Sequence, residues 1–241
     1  MRLMTQSQID HYNIDCQSFV VKPTQHPKPT FSLMIDAILK PFRQMLAMAG
    51  IEVKLNFVLN GTDLNLPENE ITISNLYTDW SVFECIMFHL VSNSVKHGSK
   101  NMPLQINIII EGGGHSDDLN FKEYTHTLKC EVVNYVDKID ESAWAQITKL
   151  NFCFQKAGWR QGPNQTHGLG IGMSTAHTLA SAIGGRLYYE IGLEQKIIRA
   201  VFNIKLTSPE MLEDYIELAK NSFVIDDDDC DDRYIRYNIK S

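Results

Sequence analysis

The chain has 241 residues, 44% of them apolar and 21% charged, with a formal net charge of −7. That balance fits a soluble globular protein of one domain with appendages, or two small ones, and excludes a largely disordered chain or a coiled coil. No run approaches the roughly 18 apolar residues of a membrane span, and Met1–Gln8 lacks the apolar core of a signal peptide, so a cytoplasmic protein without a membrane span is expected.

Six aspartates, Asp226–Asp229 and Asp231–Asp232, carry most of the excess charge. Without them the chain is nearly neutral, so the basic footprint of a nucleic-acid binder is missing. The acidic run reads as a solvated tail. Cys16, Cys85, Cys130, Cys153 and Cys230 are scattered and odd in number, which points to reduced thiols.

Residues 1–30 read as a connector, with Pro23, Pro27 and Pro29 favouring extended backbone. Over 31–49, Leu33, Ile35, Ile38, Leu39, Phe42, Met45 and Leu46 recur at helical spacing; Pro41 should kink or divide that helix and Gly50 should stop it. Ile51, Val53, Leu55 and Phe57 alternate with polar residues, predicting a half-buried strand. A loop is expected from Asn60-Gly61 to Leu66-Pro67, then a short strand over 71–76. Asp79 or Ser81 can cap a helix running to His97 and stopping at Gly98, with Ser81 and Glu84 spaced as a capping box.

Residues 104–111 and 128–134 predict two strands of a hairpin joined by a long polar loop. A short helix is expected over 143–150 and a Gly-rich loop over 158–172. A helix over 173–183 should end at Gly184-Gly185, before a strand hairpin over 186–191 and 196–206 around Gly192. A short helix over 208–220 and the acidic tail complete the chain. Antiparallel strands with a few long helices predict an α+β sandwich, one sheet with helices on one face.

Two stretches carry chemistry. His89, Asn93, Lys96 and His97 fall at i, i+4, i+7 and i+8, so they share one side of the predicted helix. An amide oxygen there can bind Mg²⁺, and a lysine one turn on can meet a phosphate; the alternative is a solvated face. Gly168-Leu169-Gly170-Ile171-Gly172 precedes a helix, where free N–H groups and the helix dipole attract anions; the alternative is a plain connecting turn. The spacing matches neither a Rossmann fingerprint nor a P-loop.

Phe88-His-Leu-Val-Ser-Asn93-Ser-Val-Lys96-His97-Gly98 resembles the N box of histidine-kinase ATP-binding (catalytic) domains of the GHKL family. Gly168-Leu-Gly170-Ile-Gly172-Met-Ser, with the following helix and Gly184-Gly185-Arg186-Leu187, resembles their last glycine box. The likeness covers roughly residues 31–206, leaving 1–30 as a linker whose Met4–Ile9 resembles the end of a dimerisation helix, and 207–241 as a short helix and tail. It implies the Bergerat fold, a two-layer α/β sandwich with a mixed, mostly antiparallel sheet, shared with DNA gyrase, a heat-shock chaperone and mismatch-repair ATPases.

The resemblance also implies the ligands, Mg²⁺ and ATP. Asn93 would hold the metal, Lys96 would contact phosphate, and His97 would line the pocket. Gly168–Gly172 would hinge a lid over the triphosphate, and Phe152 and Phe154 look like the family's phenylalanine box; the alternative is plain core aromatics. Asn134 stands where the family has an aspartate that accepts from the adenine amino group; Val136 and Lys138 replace two glycines of that box, and Ile139 closes it. Either the bulkier residues narrow the slot, or Lys138 sits outside and touches phosphate.

His89 replaces the kinases' usual asparagine; related ATPases carry a glutamate general base there, a role an imidazole can take. None of the eight histidines sits in a phosphoacceptor box. The implied activity is phosphotransfer within a two-component phosphorelay, to a histidine on a dimerisation domain or partner protein, with a response-regulator receiver domain downstream. The alternatives are a pseudokinase that binds a protein partner and a Bergerat-fold ATPase using His89.

Overall fold

The structure is a computed structural model that describes residues 21–25, 30–59, 61–64, 76–111, 126–137, 172–192, 194–207 and 235–237. Thr24–Gln25 forms a short strand, β1. Helix α1, Phe31–Leu39, gives way at Lys40–Phe42 to a tight turn and resumes as α2, Arg43–Met48. Pro41 divides the helix as its missing N–H requires. Gly50 ends it at φ +64°. The buried stripe is Phe31, Met34, Ile35, Ile38, Phe42 and Leu46; Leu33 and Met45, expected on it, are exposed at 48% and 47%. Helical spacing alone does not separate the centre of an apolar stripe from its margin.

Strands β2, Val53–Leu59, and β3, Thr62–Leu64, form a hairpin with Gly61 at φ +77° in its turn. The loop expected after Asn60 is therefore a strand at first, one too short to show a period. After β4, Tyr77–Thr78, comes the long helix α3, Trp80–His97. Asp79 caps α3, accepting from the Val82 N–H at 3.2 Å, and Gly98 follows its last turn. Ser81 is exposed and not the cap. Next come β5, Leu104–Glu111; β6, His126–Tyr135; α4, Gly172–Ala182; β7, Arg186–Gly192; β8, Ile197–Leu206; and β9, Ile235–Tyr237.

Among the described residues, seven strands make one sheet in the order β3-β2-β5-β6-β8-β7-β9. Pairing is antiparallel except for β2 with β5 and β7 with β9. The fold is the expected α+β sandwich with a mixed, mostly antiparallel sheet. The β5–β6 pairing is the expected one, with Ile108 opposite Cys130. Strand β9 lies where only a tail was expected. The segments 71–75, 143–150, 158–171 and 208–220 lie outside the described residues, as do residues 1–20 and the acidic run.

One face of the sheet is hydrocarbon: Ile106, Ile108, Leu128, Val132, Phe202 and Ile204 are buried. Against it α3 lays Trp80, Phe83, Ile86, Met87 and Leu90, each at most 2% exposed. Aromatic rings tie the layers together. Phe31 meets Trp80 edge-on at 5.9 Å, Trp80 meets Phe83 at 5.5 Å, and Phe83 meets Phe202 of β8 at 5.7 Å.

The other face carries a cross-linked polar patch beside the buried Val133 and Val201. Asn56 and Gln105 donate to Asn107 Oδ1, both at 2.9 Å, and Asn107 donates to Glu131 Oε2 at 2.8 Å. Lys129 lies 2.6 Å from Glu131 Oε1, and Arg199 donates to Glu190 at 2.6 Å. Burial opposes the charge on Glu131, but the hydrogen bonds from Lys129 and Asn107 and the charges of Lys129 and Arg199 outweigh it and lower its pKa. The stabilisation this gives is complete above the ordinary value of 4.5 and is lost as pH falls through the folded-state pKa. Glu131→Ala should cost about 2 kcal/mol, between a surface pair and a fully buried one because Lys129 and Arg199 are partly solvated. Urea denaturation measures it, and Glu131→Gln, which keeps an acceptor for Asn107, should lose less.

Candidate functional site

The last three turns of α3 present the polar stripe. His89 and Asn93 are half-buried, and Lys96 and His97 are exposed. The opposite side of the same turns, Leu90, Val91 and Ser94, is buried, which fixes the stripe away from the core. Lys96 is close enough for its charge to act on both His89 and His97.

Gly172, the first residue of α4, sits against this stripe. A Cβ placed on it would stand 3.1 Å from His89 Nδ1. A side chain there would force the imidazole aside, so the glycine permits the close approach of α4 to α3. The structure thus brings the end of the glycine-rich segment to within one helical turn of Asn93. Gly168, Leu169, Gly170 and Ile171 lie outside the described residues, as do Ile139, Phe152 and Phe154.

Burial, reinforced by Lys96, lowers the His89 pKa to about 4. The ring is neutral at pH 7 and a weak base, poorly matched to general-base work, which favours a pKa near the operating pH. Burial and then Lys96 also lower the pKa of His97. The stripe therefore offers two imidazoles biased toward the neutral form, an amide and one lysine, a set suited to binding an anion more than to moving protons.

Asn134 lies near the end of β6 and is 8% exposed. Its Nδ2 lies 3.6 Å from where a Cβ on Gly98 would be, which places it against the end of α3. Beside it a small cavity is lined by Ser94, Gly98, Ser99, Leu104 and Tyr135 among others. No local pattern marks Ser99 and Asp137 as part of this region. The Ser99 N–H donates to the Tyr135 carbonyl at 2.7 Å, and its hydroxyl bonds the Asp137 carboxylate. The Val136 N–H donates to the Lys196 carbonyl at 2.8 Å. The strand end carrying Asn134 is therefore pinned to both α3 and the β7–β8 turn. These ties join residues far apart in sequence, so no local pattern announces them.

Among the described residues no three His, Cys, Asp or Glu side chains gather as a metal site. Magnesium does not require such a cage: it keeps several waters and is usually held by one or two protein oxygens and by phosphate. The Asn93 carboxamide suits that chemistry. No described helix is long and apolar enough to cross a membrane.

No protein-family model matches the chain, and no curated protein matches it. Solved structures do. The chain is similar to full-length ShkA in complex with AMPPNP, at TM-score 0.52 and 13% identity, covering 84% of this chain and 35% of ShkA. It is also similar to the histidine kinase AdeS of Acinetobacter baumannii, at TM-score 0.44 and 15% identity over 85% of this chain and 77% of that one. The mycobacterial sensor histidine kinase MprB aligns at TM-score 0.47 and 11% identity over 78% and 99%. The chain spans about a third of the length of ShkA. At these identities the likeness concerns fold alone, and the ShkA superposition carries it: the chain shares its α/β-sandwich fold with about a third of ShkA.

Proposed function

We propose that residues 31–206 form a Mg-ATP-binding domain of a histidine-kinase-like signalling protein. The contact between Gly172 and His89 carries this reading, because it sets the exit of the glycine segment beside Asn93 and Lys96. Asn93 supplies an oxygen to Mg²⁺, Lys96 meets phosphate, and His97 borders the pocket. Asn134 faces the base, with Ile139 and Phe154 assigned to the same pocket by resemblance, and Gly168–Gly172 closes over the triphosphate. His89 serves as the seat for Gly172. ATP, when bound, supplies the γ-phosphoryl, which passes to a histidine outside this chain. The protein's own contribution is positioning and charge neutralisation. A dimerisation domain or partner protein bears the acceptor histidine, a receiver domain takes the phosphoryl group next, and the setting is cytoplasmic.

A thermal-shift titration tests this. Mg-ATP at about 100 times its Kd should stabilise the protein by about 2.7 kcal/mol. Asn93→Ala should remove most of that shift, and chelating Mg²⁺ should weaken it. No shift with ATP or ADP in the unmodified chain would refute the reading.

A second reading is favoured by Asn134, whose buried amide lacks a carboxylate's charge-assisted bond. It makes the chain a nucleotide-free pseudokinase that serves a protein partner. Under it, Asp at position 134 with Gly at 136 and 138 creates nucleotide binding that the native chain lacks. Under the first reading those changes only tighten it.

A further inference from the structure

The residue that caps α3 also holds the connector. Asp79, 5% exposed, accepts from the Val82 N–H through Oδ1 at 3.2 Å and from the Lys22 N–H through Oδ2 at 2.9 Å. Next to Lys22, β1 pairs antiparallel with β4, Thr24 opposite Thr78 and Gln25 opposite Tyr77. Tyr77 in turn exchanges two backbone hydrogen bonds with Thr207, at 2.9 and 3.0 Å, just past β8. Trp80, the first residue of α3, is buried and donates its indole N–H to the Leu76 carbonyl at 3.2 Å. The incoming chain and the start of α3 thus meet at one carboxylate, next to the strand pair that ties β4 to the connector and to the end of β8.

We propose that Asp79 is a latch between the connector and α3. The Lys22 N–H fixes one carboxylate oxygen and so orients the other toward Val82. Withdrawing the connector removes one of the hydrogen bonds that orient the carboxylate and weakens the cap on a helix whose far end carries Asn93, Lys96 and His97. The coupling is reciprocal, since whatever tightens the first turn of α3 also holds the connector. A pull on the connector thereby reaches the first turn of α3 through the Asp79 carboxylate, alongside the β1–β4 pairing.

Hydrogen exchange on the full chain without nucleotide tests the latch independently of the proposed function. Lys22→Pro deletes the donor N–H and leaves α3 untouched. Position 22 precedes Pro23, which already biases it to extended backbone that proline accepts. Exchange at the Val82 amide should rise about tenfold, the scale of a lost hydrogen bond to a charged acceptor. Asp79→Ser keeps a capping oxygen but is too short to reach Lys22. It should speed exchange at the β1 amides by about tenfold or more while Val82 stays protected. Wild-type exchange at Val82 in Lys22→Pro overturns the latch, whatever the β1 amides do. So does wild-type exchange at β1 in Asp79→Ser.

Discussion

Phe83→Ala is expected to lower the unfolding free energy by about 3–5 kcal/mol, the range for removing a buried aromatic ring. Phe83 is 0% exposed and sits between Trp80 of α3 and Phe202 of β8, the point where the helix layer grips the sheet. Removing the ring deletes its transfer free energy and leaves a void bordered by two rings that are themselves fixed. Phe31 and the sheet hold those rings, so collapse into the space is limited. For a chain of this size the melting temperature should fall by roughly 10 °C. Urea denaturation gives the free energy directly; a loss below about 1 kcal/mol would show that the aromatic chain does not join the layers. Phe83→Leu should recover most of the loss.

Acid should destabilise the domain well before its carboxylates titrate. Burial, with Lys96 adding to it, lowers the His89 pKa to about 4, and burial alone lowers that of His177 to about 4. Both rings are neutral when folded, whereas in the unfolded chain they take up protons near 6.5. Between those values the unfolded state binds more protons, so stability is complete above 6.5 and declines as pH falls toward 4. The slope is about 1.4 kcal/mol per pH unit for each ring at its steepest. Together the two amount to several kcal/mol across the window. Urea midpoints measured from pH 7.5 to 4.5 should show it, and His177→Gln should flatten the curve by about half. Parallel curves for the variant and the native chain would refute the assignment to His177.

The helices and long strands were legible because their signals are local. Asp79 and Gly98 bound α3 as capping rules require, and its apolar residues at helical spacing are the buried ones. Pro41 and Gly50 act where backbone chemistry makes them act. The short strands β1, β3, β4 and β9 were not legible as pairs. Two or three residues show no period, and each is stabilised by a partner distant in sequence. Strand β9 also follows a run of aspartates whose composition signals solvated chain. Leu33 and Met45 were misplaced because hydrophobic type was taken for burial.

The candidate site was legible in part. The side shared by His89, Asn93, Lys96 and His97 follows from helix geometry alone. The seating of Gly172 on His89 is a tertiary contact between helices some 75 residues apart in sequence. The Ser99–Asp137 tie is likewise a meeting of two segments, just past the ends of α3 and β6. Asn134 was marked by resemblance, and its packing against Gly98 needed coordinates.

The polar lattice on the back of the sheet has a consequence for architecture. A further layer stacked there would have to strip the remaining water from Lys129, Glu190 and Arg199, which keep a quarter to a third of their side chains exposed, while Glu131 is already buried. The residual hydration of those three charges therefore opposes a third layer on the back of the sheet.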